Sequence, residues 1–168
     1  MTTATTSRGD AAPALWKGAI AGLVAGLVAS AAMDGFQALV SRLSSSDDDG
    51  QPATEKAADR LARAATGEAV PDAFKPAAGQ AVHYALGALL GTGYGVAAEV
   101  KPAVTAGGGA AFGIGTAALL DEAAVPAAGL GDAPWDAPAS THAYAVASHL
   151  VFGGTVELVR RVVRRALG

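Results

Sequence analysis

Residues 18–33 read GAIAGLVAGLVASAAM, sixteen consecutive positions without a charge and built mainly from Gly, Ala, Val and Leu. A surface helix of a soluble protein sets charged or polar groups along its wet face about once per turn. This stretch has no such face. Its pattern predicts an apolar helix over residues 18–40 placed in lipid, where about 20 helical residues cross a hydrocarbon core of about 30 Å. Three further stretches repeat the pattern, at residues 77–100, 103–122 and 139–159, the last being the least apolar. The expected fold class is all-α, a bundle of four transmembrane helices.

The composition agrees with that reading. Hydrophobic residues make up 51% of the 168-residue chain, yet aromatic ones only 5%, and Gly alone fills 22 positions. A core formed in water draws its volume from Leu, Ile and Phe. Gly and Ala serve helices that approach closely in lipid, where packing replaces the hydrophobic effect between them. None of the 12 Lys and Arg residues falls inside the four stretches, and the acids that do are Asp34, Glu99, Asp121, Glu122 and Glu157. The net charge of −3 argues against nucleic acid as a partner and leaves the lipid bilayer. The absence of Cys excludes disulfides, thiolate zinc sites and Cys nucleophiles.

The organisation expected is a flexible N-terminal tail (1–17), a single four-span membrane domain (18–160) and a basic C-terminal tail (161–168). A polar loop, 41–76, separates the first two spans. Within it, residues 44–50 read as a solvated linker. Residues 54–65 read as a short surface helix, with Thr54 as its cap and Asp59 one turn from Arg63. Trp135, in a Pro-rich loop, suits a membrane–water interface. Arg8, Lys17, Lys101, Arg160, Arg161, Arg164 and Arg165 mark one side, against Arg42, Lys56, Arg60, Arg63 and Lys75 on the other. The arginine cluster close to the last span puts both termini in the cytoplasm. A secretory signal is the rival reading of the N-terminus, with Ala29-Ser30-Ala31 as a cleavage site. The long polar lead and the apolar run beyond that site count against it.

Small residues recur at four-residue spacing: Gly18, Gly22, Gly26 and Ser30, then Asp34; Gly87, Gly91 and Gly95, with His83 before them and Glu99 after; Gly109, Gly113 and Ala117, then Asp121. Such stripes let helix backbones meet. At about 1.5 Å per residue, Asp34 lies about 25 Å above Lys17, Asp121 about 30 Å above Lys101, and His83 and His142 about 27 Å above Lys101 and Arg160. His149 lies deeper, about 17 Å up. Asp34, His83, Asp121, Glu122 and His142 thus converge at one level near the outer end, with His149 below them. Ionisable groups at membrane depth mark functional sites. Carboxylates with imidazoles suit a divalent metal (Zn, Fe or Mn) or a proton or solute path. The bland alternative, acids in water at helix ends and histidines bonded to neighbours, carries comparable weight. Haem fits poorly, because the chain lacks the bulky side chains that wrap a porphyrin.

His83-Tyr84-Ala85-Leu86-Gly87 is echoed by His149-Leu150-Val151-Phe152-Gly153, which suggests two related helical hairpins. His83-Tyr84-x-x-Gly87 with Gly91 and Tyr94-Gly95, Asp121-Glu122 before Val125-Pro126 and Gly129-Leu130, and Ser148-His149-Leu150 with Gly153 together give the chain a family likeness. It resembles the YagU-like family of small bacterial inner-membrane proteins of unknown function, over about residues 15–160. The resemblance implies a bacterial inner-membrane location and transfers no catalytic role. Two functions follow as expectations. One is a multi-pass membrane protein with an acid–histidine site for metal, protons or solute. The other is a structural or stress-related component whose Gly stripes serve packing and homo-oligomer assembly.

Overall fold

The computed structural model describes residues 14–44 and 51–168, so all but the first residue of the linker expected at 44–50 and most of the N-terminal tail lie outside the described residues. Five helices carry the chain: α1 (Leu15–Leu43), α2 (Ala53–Thr66), α3 (Lys75–Val100), α4 (Ala110–Ala127) and α5 (Ala139–Ala166). There is no strand among the described residues. α1 lies against α3 and α5, α4 against α5, and α2 against α3. The all-α expectation holds.

The reason α1 packs as it does is legible in Ala21-Gly22-Leu23-Val24-Ala25-Gly26-Leu27-Val28-Ala29-Ser30. Each Ala-Gly or Ala-Ser pair is buried and each Leu-Val pair is exposed. Four residues are slightly more than one helical turn, so the small residues form one stripe and the branched ones the opposite wall. The stripe meets its counterpart on α3. A Cβ placed on Gly22 would strike the carbonyl of Gly91, one on Gly26 the carbonyl of Gly87, and one on Gly18 the carbonyl of Gly95. Gly109 and Gly113 of the second hairpin stand in the same relation to Gly153 and to the His149 backbone. A Cβ on any of Gly18, Gly22, Gly26, Gly87, Gly91, Gly95, Gly109 or Gly113 would fall within 3 Å of an atom on a neighbouring helix. The larger core side chains, Met33, Tyr94, Phe152 and Val156, gather where the helices spread, and Phe112 stacks against Tyr94 at 4.4 Å between ring centroids.

Two of the four stretches expected to span form helices long and apolar enough to cross a membrane, α1 and α4. The other two form long helices, α3 and α5, that do not meet that standard. Gly, Gln, His and Thr dilute α3, and four arginines follow Glu157 in α5. α5 also runs on through residues expected to form the basic tail.

The third stretch begins later than expected. Residues 102–105 form a 3-10 turn, and Gly107, Gly108 and Gly109 have φ of 76°, 62° and 90°. Such left-handed backbone costs Gly nothing and other residues a good deal. Three apolar-looking glycines therefore end the connection rather than continue a helix, and α4 starts at Ala110. It passes through a π-helical turn at Leu120–Ala124 before its last residues.

α2 starts at Ala53 behind Pro52, and no side chain caps it, so Thr54 sits inside the helix and not at its cap. The Asp59–Arg63 pair forms as expected, at 3.0 Å. Asp59 also accepts the Val70 N–H at 2.8 Å and so closes the turn after Gly67. The Arg63 guanidinium, then that N–H, hold the Asp59 carboxyl below the usual carboxylate range. A carboxyl with a lowered folded pKa gives its stabilisation above the unfolded value and loses it as pH falls through the folded one. The Val70 amide is expected to be protected from hydrogen exchange at neutral pH. Once corrected for intrinsic rate, that protection should fade only below about pH 4, the unfolded Asp range, and at every pH in Asp59→Asn.

Candidate functional site

Every histidine of the chain faces a carboxylate on a neighbouring helix. α1 and α3 bring Asp34 opposite His83, with Nε2 3.3 Å from Oδ1. The approach is off the hydrogen-bond direction, and this buried nitrogen has no hydrogen-bond partner. Asp34 is held from its other oxygen by Gln80, whose amide donates at 2.5 Å. α4 and α5 pair Asp121 with His149, Nδ1 lying 3.2 Å from Oδ2 and 3.0 Å from the Ala145 carbonyl. Two oxygens around Nδ1 place the ring proton there. Nε2 of this buried ring is left as an acceptor without a protein partner among the described residues. The third pair is Glu122 and His142, with Nδ1 2.6 Å from Oε1 and Nε2 3.1 Å from the Pro134 carbonyl. That geometry satisfies an imidazolium at both nitrogens.

The five residues expected at one level and the deeper His149 thus resolve into three pairs. The deeper histidine, whose backbone packs on Gly113, is the partner of Asp121. The π-turn then separates the two neighbouring acids, so that Asp121 meets His149 and Glu122 meets His142, two turns apart on α5. Among the described residues no three His, Asp or Glu come together as a ligand set for a metal ion.

Two of the pairs share a cavity of about 470 Å³. Asp34 and His83 line one part and Asp121 and His149 another, with Met33, Leu86, Leu90 and Phe152 supplying apolar wall. Glu55 reaches the cavity from α2, its Cγ lying where a Cβ on Gly79 would be. Gln80 and Glu55 escape a reading of sequence alone. Gln80 sits three residues before His83, on the same face, which is a usable signal; Glu55 sits in the polar loop and offers none. α2 is fixed over this region by Arg60, which donates to the carbonyls of Ala128 and Gly129 just beyond the C-terminus of α4. Free carbonyls there attract a cation.

The acids left at the opposite end of the bundle have a different task. Glu157 accepts from Arg160 and Arg161, and Glu99 from Arg164 across helices. These are structural ion pairs, saturated by their partners.

Residues 65–158 match the model of a family described as a protein of unknown function (DUF1440). The Asp121–His149 and Glu122–His142 pairs lie wholly inside the matched region, whereas Asp34 lies before it. No curated protein and no solved structure matches the chain.

Proposed function

The chain belongs to the DUF1440 family, and from that premise we propose that it is a four-span protein of a bacterial inner membrane, YagU-like in kind, with a chamber that relays protons or passes a small solute. The single observation that carries this is the pair of acid–imidazole couples in the wall of one cavity. A carboxylate beside an imidazole orients the ring and balances its charge when it takes a proton, and His changes charge near neutrality. Ionisable groups held inside a bundle are costly and belong to pathways or sites. The separate pairs favour proton or solute transfer over a metal, which needs its ligands gathered around one point.

The outward wall of Leu and Val over an inner stripe of Gly and Ala supports the lipid setting, because lipid rewards close backbone contact and tolerates exposed branched side chains. All four long helices share that bundle, so α3 and α5 cross with α1 and α4 although they are less apolar. Trp16 and Trp135, both exposed, suit the two interfaces, and the arginines at the end of α5 favour cytoplasmic termini. α1 runs unbroken through Ala29-Ser30-Ala31 and buries Ala29 and Ser30, which favours its retention over cleavage as a signal. The stripes that an oligomeric structural component would present are occupied inside the chain.

The test is proton flux in proteoliposomes with a pH-sensitive dye inside. The parent chain is expected to collapse an imposed gradient faster than empty vesicles. Asp121→Asn and His149→Ala should slow it by roughly 100-fold, the scale of losing one proton-transfer group. Flux equal to empty vesicles in the parent, or unchanged in both variants, would refute the relay.

A further inference from the structure

The cavity has a charge preference that the relay alone does not require. Three carboxylates line it, Asp34, Glu55 and Asp121, and no Lys or Arg does among the described residues. One of the two imidazoles that accompany them has acceptor capacity to spare: His149, with only 7% of its surface exposed, presents Nε2 without a protein partner among the described residues. Buried polar atoms left unpaired are costly and call for a partner from outside the chain. Each of these groups, carboxylate or bare imidazole nitrogen, accepts hydrogen bonds or attracts positive charge.

Size and lining narrow the partner further. A volume of about 470 Å³ is far larger than a dehydrated metal ion needs, and the acids are not gathered around a point. It lies within the roughly 300–1,000 Å³ of small-molecule sites, which combine an apolar lining with a few placed polar groups. Met33, Leu86, Leu90 and Phe152 provide that lining. A ligand fitting this wall has a positive head and an apolar body.

We infer that the chamber binds a small organic cation, an amine whose ammonium group donates to Nε2 of His149 within the field of Asp34 and Asp121 while its hydrocarbon part packs on Phe152 and Met33. This rests on the reading of the cavity as a solute chamber and names the class of solute. Glu55, carried by α2 at the edge of the same space, adds its charge where an entering cation passes. The Arg60 contact to the end of α4 keeps α2 in that place.

The experiment uses the full chain in detergent, titrated by calorimetry with benzylammonium chloride, with uncharged benzyl alcohol and with zinc chloride. The ammonium compound is expected to bind at one site per chain, and benzyl alcohol at least about tenfold more weakly, a difference of about 1.4 kcal/mol. Asp34→Asn and Asp121→Asn should each weaken the ammonium compound by about tenfold. Equal binding of the neutral compound, or zinc binding at one site that excludes the ammonium compound, overturns the inference on the parent chain alone, with no variant needed. Ammonium binding undiminished in both Asn variants overturns it as well. Proton flux measured on the same preparation separates the two readings. Flux without amine binding sinks this inference and leaves the relay, and amine binding without flux does the reverse.

Discussion

Gly22→Ala is expected to prevent recovery of folded protein from the membrane fraction, or to lower its unfolding transition in detergent. The new Cβ would meet the carbonyl oxygen and carbon of Gly91 and the Cα of Thr92. These are backbone atoms of a helix, and no rotamer change moves them. α1 and α3 must part along the whole seam, because Gly26 against Gly87 is equally close and Gly18 against Gly95 nearly so. Overpacking of a tight core costs about 1–3 kcal/mol, and a clash of backbone on backbone belongs at about 3 kcal/mol or above on that scale. Gly93→Ala is the control: a Cβ there meets nothing within 4 Å, and Ala is the better helix former by about 1 kcal/mol. If the two variants unfold together, close approach of the backbones is not what holds the hairpin.

Glu157→Ala is expected to be as damaging, through electrostatics. Glu157 is only 2% exposed and accepts from both Arg160 and Arg161. Arg160, 9% exposed, lies over the Tyr94 ring and has no other carboxylate within ion-pair distance among the described residues. Removing the acid leaves a buried guanidinium uncompensated, which costs about 3–5 kcal/mol. Removing both charges is different, since a buried pair replaced by apolar groups of like volume is often neutral or better. Glu157→Leu combined with Arg160→Leu should therefore recover most of the stability lost in Glu157→Ala, as read from reversible unfolding in detergent. A double variant no better than the single one would show that the pair is not the source of the effect.

Much of this architecture is written plainly in the chain, because burial in a Gly/Ala bundle follows a four-residue rhythm that survives without any knowledge of neighbours. The stripe through Gly18, Gly22 and Gly26 and its partner through Gly87, Gly91 and Gly95 are of that kind. So are the six ionisable residues, conspicuous because everything around them is apolar. What could not be read is how the residues combine. Gly107-Gly108-Gly109 passes for more of the same apolar run unless the sign of φ is known. The echo between His83–Gly87 and His149–Gly153 also shifts on inspection. By packing, Gly153 corresponds to Gly91 and the His149 backbone to Gly87, since these face Gly22/Gly109 and Gly26/Gly113 respectively. The two histidines thus stand one turn apart in the related hairpins, and they reach their acids through opposite ring nitrogens. Glu55 was invisible for another reason: its place depends on where an amphipathic helix settles, which local pattern does not specify.

The wide turn at Leu120–Ala124 makes chain length itself a determinant of the chamber. A helix that accommodates a supernumerary residue slips in phase by about 100° for everything that follows, so α4 carries one angular frame up to Leu119 and another beyond Ala124. Asp121 and Glu122 straddle that slip, each aimed at its own imidazole. Excising a single alanine there would spare every charged group and keep the helix apolar, yet rotate the acids out of register with α5. Relatives of this chain are thus best aligned by counting residues between Gly113 and Val125 before comparing which side chains they hold.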